Sequence, residues 1–127
     1  MDDWFERQFA ATRVMVIMRG LDEGASLALA ERAWAAGVRM VEIPIQGPVA
    51  VAALLVVAAA ARGRGLPVGA GTVVTPEHVD DARAAGAAYT VSPGADEDVI
   101  RASLDAGLPT LPGATFSPDA ESVNRAQ

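Results

Sequence analysis

A single acidic residue, Glu42, interrupts an apolar stretch that reads VEIPIQGP over residues 41–48. A carboxylate that loses its hydration in such a setting costs free energy unless a partner or a reaction compensates for the loss. If Val41 and Ile43 point at helices, Glu42 points to the opposite side, because side chains alternate along a strand. Burial there would raise the pKa of Glu42 toward the range of a general acid or base. Glu42 is therefore a candidate catalytic residue.

Arg19 closes an earlier apolar run, VMVIM, and could clamp a carboxylate or a phosphate of a ligand. It could equally pair with Glu42 for structure alone, and the two residues by themselves leave both interpretations open. The only histidine, His78, follows Glu77 in a predicted helix, where a solvated side chain is expected. The histidine and the acidic residues do not form a cluster with the spacing of metal ligands, and no glycine-rich loop has a nucleotide-binding pattern. The sequence therefore predicts no metal and no cofactor.

Two residue types are absent from the chain: it has ten arginines but no lysine, and it has no cysteine. An imine between protein and ketone needs a primary amine, which leaves only the N-terminal amine among these 127 residues. The lack of cysteine excludes disulfides, thiolate metal sites and cysteine nucleophiles. A net charge of −6 offers no basic surface, so neither nucleic acid nor a membrane is expected as a partner. The start, MDDWFERQFA, lacks the pattern of a secretory signal, and a cytoplasmic protein is expected.

Five apolar runs, separated by helical segments, are available to position these side chains. They are rich in Val, Ile and Leu without clean alternation, as expected of parallel strands covered on both faces. The runs cover residues 14–18, 38–45, 67–71, 87–92 and 108–113. Helix starts are marked by Asp22 before residues 23–36, by Pro48, by Thr75 before residues 76–85, and by Ser117.

Gly65, Gly86 and Gly107 each precede a strand and are 21 residues apart, a regular β/α rhythm. The rhythm predicts one α/β domain over residues 1–127 with five parallel units. Two architectures fit: a doubly wound sheet, or a partial (β/α)8 TIM barrel made of the first five units. A response-regulator receiver domain, the doubly wound candidate, fits less well, since it needs an aspartate ending the third strand and a lysine ending the fifth. The partial barrel is the preferred prediction.

In a (β/α)8 barrel the loops after the strands converge on one mouth, where the chemistry takes place. Glycines at such a mouth bring the backbone close to a bound ligand, because no Cβ keeps the ligand away. Here polar residues and glycines gather at the strand ends: Arg19-Gly20, Glu42 to Gln46, Gly69-Ala70-Gly71-Thr72, Ser92-Pro93-Gly94, and Pro112 to Thr115.

Taken in order, the segments IMRG, AAGVRMVEIPIQGP, VGAGTVVTPEHVDDARAAGA, YTVSPG and GLPTLPGAT resemble the 2-keto-3-deoxy-6-phosphogluconate and 4-hydroxy-2-oxoglutarate aldolase family. The resemblance runs from about Val14 to Thr115, and EIPIQGP with IMRG is closer to the 2-dehydro-3-deoxy-6-phosphogalactonate branch. It implies a TIM barrel and a class I Schiff-base lyase of carbohydrate metabolism that uses no metal. The implied substrate is a 2-keto-3-deoxy-6-phospho sugar acid or 4-hydroxy-2-oxoglutarate, cleaved to pyruvate and an aldehyde, and the implied assembly is a trimer.

The resemblance also implies roles for residues. Glu42 matches the glutamate that shuttles protons beside the imine. Arg19 matches a substrate-contacting arginine of the galactonate-type branch, and Thr72 and Pro93 match residues that line the substrate site. Gln46 stands where phosphogluconate-type enzymes often carry a substrate-binding arginine. The family's imine-forming lysine lies on the sixth strand of the barrel.

Without a lysine, this chain does not complete such a site by itself. The resemblance predicts a chain truncated after about five of the eight units, so one hypothesis is an aldolase polypeptide that further units complete. The alternative is a non-catalytic barrel fragment or a half-barrel module that pairs with another chain. In both cases the first and fifth strands are expected to have unpaired edges and exposed apolar surface.

Overall fold

The computed structural model describes residues 3–113, which alternate between helices and strands. A short helix comes first, and five strands then alternate with four helices along the chain. The elements are α1 (Trp4–Gln8), β1 (Met15–Ile17), α2 (Glu23–Ala35), β2 (Met40–Pro44), α3 (Pro48–Gly63), β3 (Val68–Gly71), α4 (Pro76–Ala85), β4 (Tyr89–Ser92), α5 (Glu97–Asp105) and β5 (Thr110–Pro112).

The five strands form one parallel sheet in the order β1-β2-β3-β4-β5. A doubly wound sheet reverses its direction of growth at a switch point, whereas consecutive order is what the first five units of a (β/α)8 barrel have. The prediction of five parallel β/α units in barrel order is confirmed. The doubly wound alternative, and the receiver domain with it, is wrong.

The helices begin and end at residues whose chemistry explains the boundary. The Asp22 side chain accepts a hydrogen bond from the Ala25 amide at 2.8 Å, and the Thr75 hydroxyl accepts one from the His78 amide at 3.1 Å. Helix α4 ends at Gly86, whose φ of +96° is a left-handed conformation that suits glycine. The helix predicted after Ser117 lies outside the described residues.

The sheet has two faces with different surroundings. One face packs against the helices, where Val41, Ile43 and Val68 form a core with Leu54 and Val57 of α3, each 0–2% exposed. We call the opposite face the inner face. It carries Met15, Ile17, Met40, Glu42, Gly69, Gly71, Tyr89, Val91 and Leu111, which follow from the pairing register and the alternation of side chains.

The inner face is closed at its centre and open at its edges. Met40 and Tyr89 are fully buried, whereas Ile17 on β1 is 51% exposed and Leu111 on β5 is 37% exposed. Within residues 3–113, β1 pairs only with β2 and β5 pairs only with β4. The expected apolar exposure at the two outer strands is therefore present. None of the helices in this part of the chain is long and apolar enough to cross a membrane.

Candidate active site

Glu42 lies at the centre of β2 and points to the inner face, as the sequence predicted. It is only 3% exposed, although the strand that carries it is one place from the edge of the sheet. Its neighbours Val41 and Ile43 are buried against the helices. The carboxyl group is thus withdrawn from water on the face opposite the main apolar core.

Two glycines of β3 provide the space that the inner-face side chains occupy. A Cβ on Gly71 would overlap the carboxyl group of Glu42, and a Cβ on Gly69 would overlap the ring of Tyr89. Glycines at the mouth were expected to bring the backbone close to a bound ligand. In the structure two of the protein's own side chains fill the space above Gly69 and Gly71, so the glycines seat the candidate catalytic residue and a tyrosine beside it.

The electrostatic setting of Glu42 favours a proton on its carboxyl group. Its Oε2 atom is buried and has no hydrogen-bond partner in the described part of the chain. Burial raises the pKa of Glu42 to about 6, while the positive charge of Arg19 acts in the opposite direction. A carboxyl group with a pKa of about 6 can take up and release a proton near neutral pH.

Arg19 and Gln46 meet at the carboxyl ends of β1 and β2. Arg19 donates a hydrogen bond from Nη1 to Oε1 of Gln46 at 3.0 Å, and both side chains are exposed. Among residues 3–113 the ion pairs within 4 Å are Arg7–Asp3 and Arg64–Glu31. The interpretation of Arg19 and Glu42 as a structural ion pair is therefore wrong, and Arg19 is held by an amide at the mouth.

Thr72 and Pro93 follow β3 and β4 at the same end of the sheet. Backbone hydrogen bonds tie these strand exits together, from Ile45 to Gly71 at 3.0 Å and from Val73 to Val91 at 3.1 Å. Thr72 has a φ of +54°, and it is the one residue other than glycine with positive φ in the described structure. For a β-branched residue this conformation is strained, and such strain concentrates at functional sites. Substrate contact by Thr72 and Pro93 stays a prediction.

Tyr89 is a feature of the site that the sequence analysis did not single out. Its hydroxyl donates a hydrogen bond to the carbonyl oxygen of Val41 at 2.7 Å, next to Glu42 in the chain. Burial, and the negative charge of Glu42 after it, raise the pKa of the Tyr89 hydroxyl. What marks Tyr89 is the glycine opposite it, because a glycine beside a large aromatic residue indicates a side chain that lies across the neighbouring strand. That pairing is visible in the structure and not in either strand's sequence alone.

A metal site does not emerge from the described residues. Between residues 3 and 113 no three side chains among His, Cys, Asp and Glu come close enough to hold a metal ion. His78 uses its Nδ1 atom to accept a hydrogen bond from the Val74 amide at 3.1 Å, where it braces the start of α4. The chemistry that this site offers is therefore proton transfer by a carboxyl group next to an arginine and an amide.

Comparison with known proteins places these features in a family. The sequence profile of "KDPG and KHG aldolase" matches residues 5–122. The 2-dehydro-3-deoxy-phosphogluconate aldolase of Dickeya dadantii is 35% identical over 82 residues, which are 62% of this chain and 36% of that protein. The 2-dehydro-3-deoxy-6-phosphogalactonate aldolase of Escherichia coli is 31% identical over 107 residues, 84% of this chain and 52% of that protein.

A solved structure shows the same arrangement of strands and helices. The KDPG aldolase of Legionella pneumophila, captured with pyruvate as a covalent carbinolamine, superposes with a TM-score of 0.77 at 29% identity. The match covers 94% of this chain and 55% of that one. This chain thus spans between 36% and 55% of the length of the three relatives.

Proposed function

The chain belongs to the KDPG and KHG aldolase family, and from that premise we propose that it supplies the acid–base residue of a class I aldolase site, Glu42. The single observation that carries the proposal is the position of this carboxyl group. It is buried on the inner face, has one oxygen without a hydrogen-bond partner among residues 3–113, and has a pKa raised to about 6.

The reaction we propose is the cleavage of a 2-keto-3-deoxy-6-phospho sugar acid or of 4-hydroxy-2-oxoglutarate. An amine forms an imine with the C2 ketone, and the imine accepts the electron pair of the C3–C4 bond as that bond breaks. The hydroxyl group on C4 must lose its proton as it becomes an aldehyde. Glu42 in its ionised form receives that proton and returns it to C3 of the enamine, which releases pyruvate after hydrolysis.

The mouth residues are assigned to substrate binding. Arg19 and Gln46 present a guanidinium group and an amide that suit a carboxylate or a phosphate oxygen. Thr72 and Pro93 line the exits of the next two strands. Gln46 in place of an arginine favours a 2-dehydro-3-deoxy-6-phosphogalactonate substrate over the gluconate epimer. A homotrimer is the assembly expected from the family resemblance.

The lysine that forms the imine in the family has to come from outside the 127 residues, because they contain no lysine. A second candidate function follows from the same fact: a half-barrel module that binds a partner without catalysis of its own. This candidate is also favoured by β1 and β5, which pair on one side only within residues 3–113, and by the exposed Ile17 and Leu111. The two candidates differ in whether a lysine supplied at the sixth-strand position creates an active site.

A complementation experiment tests the proposal. The 127-residue chain is joined to, or produced together with, the last three β/α units of the E. coli phosphogalactonate aldolase, the first of which is expected to carry the imine-forming lysine. Borohydride in the presence of pyruvate should then trap a covalent adduct on the lysine, and the complex should release pyruvate from 2-keto-3-deoxy-6-phosphogalactonate.

The Glu42→Gln variant of the same complex is the matched control. It should still form the trapped adduct but lose cleavage by roughly two to four orders of magnitude, the usual contribution of general acid–base catalysis. A folded complex that traps no pyruvate, or a Glu42→Gln complex that cleaves substrate at the original rate, would contradict the proposal. A folded complex that is inactive with every substrate would instead favour the second candidate, a half-barrel module that binds a partner without catalysis of its own.

A further inference from the structure

Tyr89 is the largest fully buried side chain on the inner face, and it reaches across the sheet. It starts on β4, and its ring lies over Gly69 of β3, where any Cβ would overlap the ring. Its hydroxyl donates a hydrogen bond to the Val41 carbonyl of β2 at 2.7 Å and lies 3.4 Å from the sulfur of Met15 on β1. A single side chain therefore connects its own strand with three others.

Helix α1 adds a second layer beneath this tyrosine. The ring centroids of Trp4 and Phe5 lie 5.5 and 5.7 Å from that of Tyr89, the Phe5 ring edge-on. Tyr89 and Met15 are the first residues of their strands, so this aromatic group covers the amino-terminal end of the inner face. Glu42 leans the other way, toward Gly71 at the carboxyl end of β3.

We propose that Tyr89 is a positioning residue for Glu42: it fixes the β2 backbone beside that residue and shuts water out from the amino-terminal side of its carboxyl group. The proposal rests on the proposed function, in which Glu42 moves the proton. Its consequence is that the carboxyl group is open to solutes only from the carboxyl ends of the strands, where Arg19, Gln46 and Thr72 lie.

The hydroxyl of Tyr89 acts through the backbone and makes no hydrogen bond with the carboxylate. Its donor is used by Val41, and Oε2 of Glu42 keeps no partner among the described residues. Arg19, after β1, is the group whose charge acts on Glu42, and Tyr89, on β4, is a neutral hydroxyl whose pKa the charge of Glu42 helps to raise, while β3 presents only glycines there. With Arg19 stabilising the ionised form, exclusion of water is what keeps the protonated form accessible.

The test measures the titration of Glu42 directly, by carbon-13 NMR of its side-chain carboxyl group in the 127-residue protein. The Glu42→Gln variant identifies the signal. The wild-type midpoint is expected at about 6. Tyr89→Leu, which opens the amino-terminal side while keeping an apolar residue, should move the midpoint down toward 4.5, the ordinary value. Tyr89→Phe keeps the ring, so its midpoint should stay nearer to that of the wild type while its melting temperature falls.

Leu54→Ala is the matched control, since Leu54 is equally buried but lies in the core on the other side of the sheet. It should lower the melting temperature without moving the Glu42 midpoint. A folded Tyr89→Leu protein whose midpoint stays at about 6 would overturn the proposal, as would an equal shift in Leu54→Ala. If Tyr89→Leu does not fold, the double variant Trp4→Ala with Phe5→Ala takes its place, with the same expected shift and the same contrary result.

This measurement is independent of the aldolase assay, because it needs neither a lysine nor a substrate. A shifted midpoint together with an inactive complemented protein would support the positioning role and refute the proposed reaction. An unshifted midpoint together with an active complex would refute the positioning role alone.

Discussion

Glu42 gives up hydration for a setting in which one of its oxygens has no hydrogen-bond partner among the described residues. That arrangement is unfavourable for folding, because an ionised carboxyl group is worse tolerated there than in the unfolded chain. A second residue beside it, Arg19, is close enough to act on its charge but bonds to Gln46 instead. At the scale of single residues the protein therefore loses stability at the position where proton transfer is proposed.

Replacement of Glu42 by Gln should remove a pH-dependent loss of stability. The folded protein holds a proton up to about pH 6, whereas the unfolded chain releases it near 4.5, so the folded state binds more protons between these values. Wild-type stability should consequently fall as pH rises from 4.5 to 6 and stay reduced above that range. Relative to wild type, Glu42→Gln should gain about 2 kcal/mol between pH 4 and pH 7.

Urea unfolding at a series of pH values measures this difference. The Glu77→Gln variant, at an exposed position in α4, controls for the loss of one negative charge. A stability difference between Glu42→Gln and wild type that does not change with pH would contradict the assignment of a raised pKa.

The residue scale also shows what the sequence could and could not predict. The position of Glu42 on the inner face follows from strand alternation alone, and the prediction was right. Tyr89 was missed because its importance depends on pairing with Gly69, and pairing register is a property of two strands that neither strand carries alone. For the same reason the sequence did not show that the glutamate of the neighbouring strand fills the space above Gly71.

At the scale of elements, local chemistry decides most boundaries. Helix α2 was predicted over 23–36 and covers Glu23–Ala35, while α4 was predicted over 76–85 and has those bounds. Both have a capping side chain in front, and helix ends are defined by such local hydrogen bonds. Helix α1 was not predicted, since it has five residues and none of them is buried. What defines it is its tertiary contacts, those of Trp4 and Phe5 with Tyr89 and that of Gln8 with Arg39.

The turn between β3 and α4 contains the strained element of the fold. Thr72 occupies a left-handed conformation that costs a residue with a Cβ about 1–2 kcal/mol. Thr72→Gly should therefore raise the free energy of unfolding, by about 0.5–1 kcal/mol once the greater freedom of glycine in the unfolded chain is included. In the complemented enzyme the same variant should weaken substrate binding.

Thermal unfolding monitored by circular dichroism checks the stability change. Thr75→Gly, three residues further on, is the control, because its φ of −137° is unstrained and its hydroxyl caps α4. The control should lose stability by a few tenths of a kcal/mol. A loss of similar size in Thr72→Gly would show that the positive φ at this position is not a strained conformation.

At the scale of the whole molecule, the sheet presents apolar side chains where its outer strands have no neighbour in the described structure. Ile17, on the outer strand β1, belongs to the inner face yet is 51% exposed. Leu111, also on the inner face but on the other outer strand, β5, is 37% exposed. Exposed apolar residues next to unpaired strand edges favour association between chains. The β/α rhythm predicted five parallel strands but left two strand orders open, and what covers these edges depends on contacts that no single unit of the sequence specifies.

Ile17→Glu should reduce self-association of the 127-residue protein, because a charge on an exposed edge opposes pairing with another chain. Light scattering across a concentration series measures the effect. Leu104→Glu, on the outer surface of α5 and 44% exposed, adds the same charge away from the sheet edges. If both variants reduce association equally, net charge and not the sheet edge controls it.

The consecutive strand order has a consequence for synthesis of the protein. Each strand from β2 onward finds its partner in the unit made immediately before it, so no pairing has to wait for a distant part of the chain. Folding can then proceed in the direction of translation, one unit after another, as the polypeptide leaves the ribosome. Strand β3, whose glycines make room for Glu42, is synthesised some 30 residues after Glu42 itself. Tyr89, which covers the amino-terminal side of that carboxyl group, follows with the next strand.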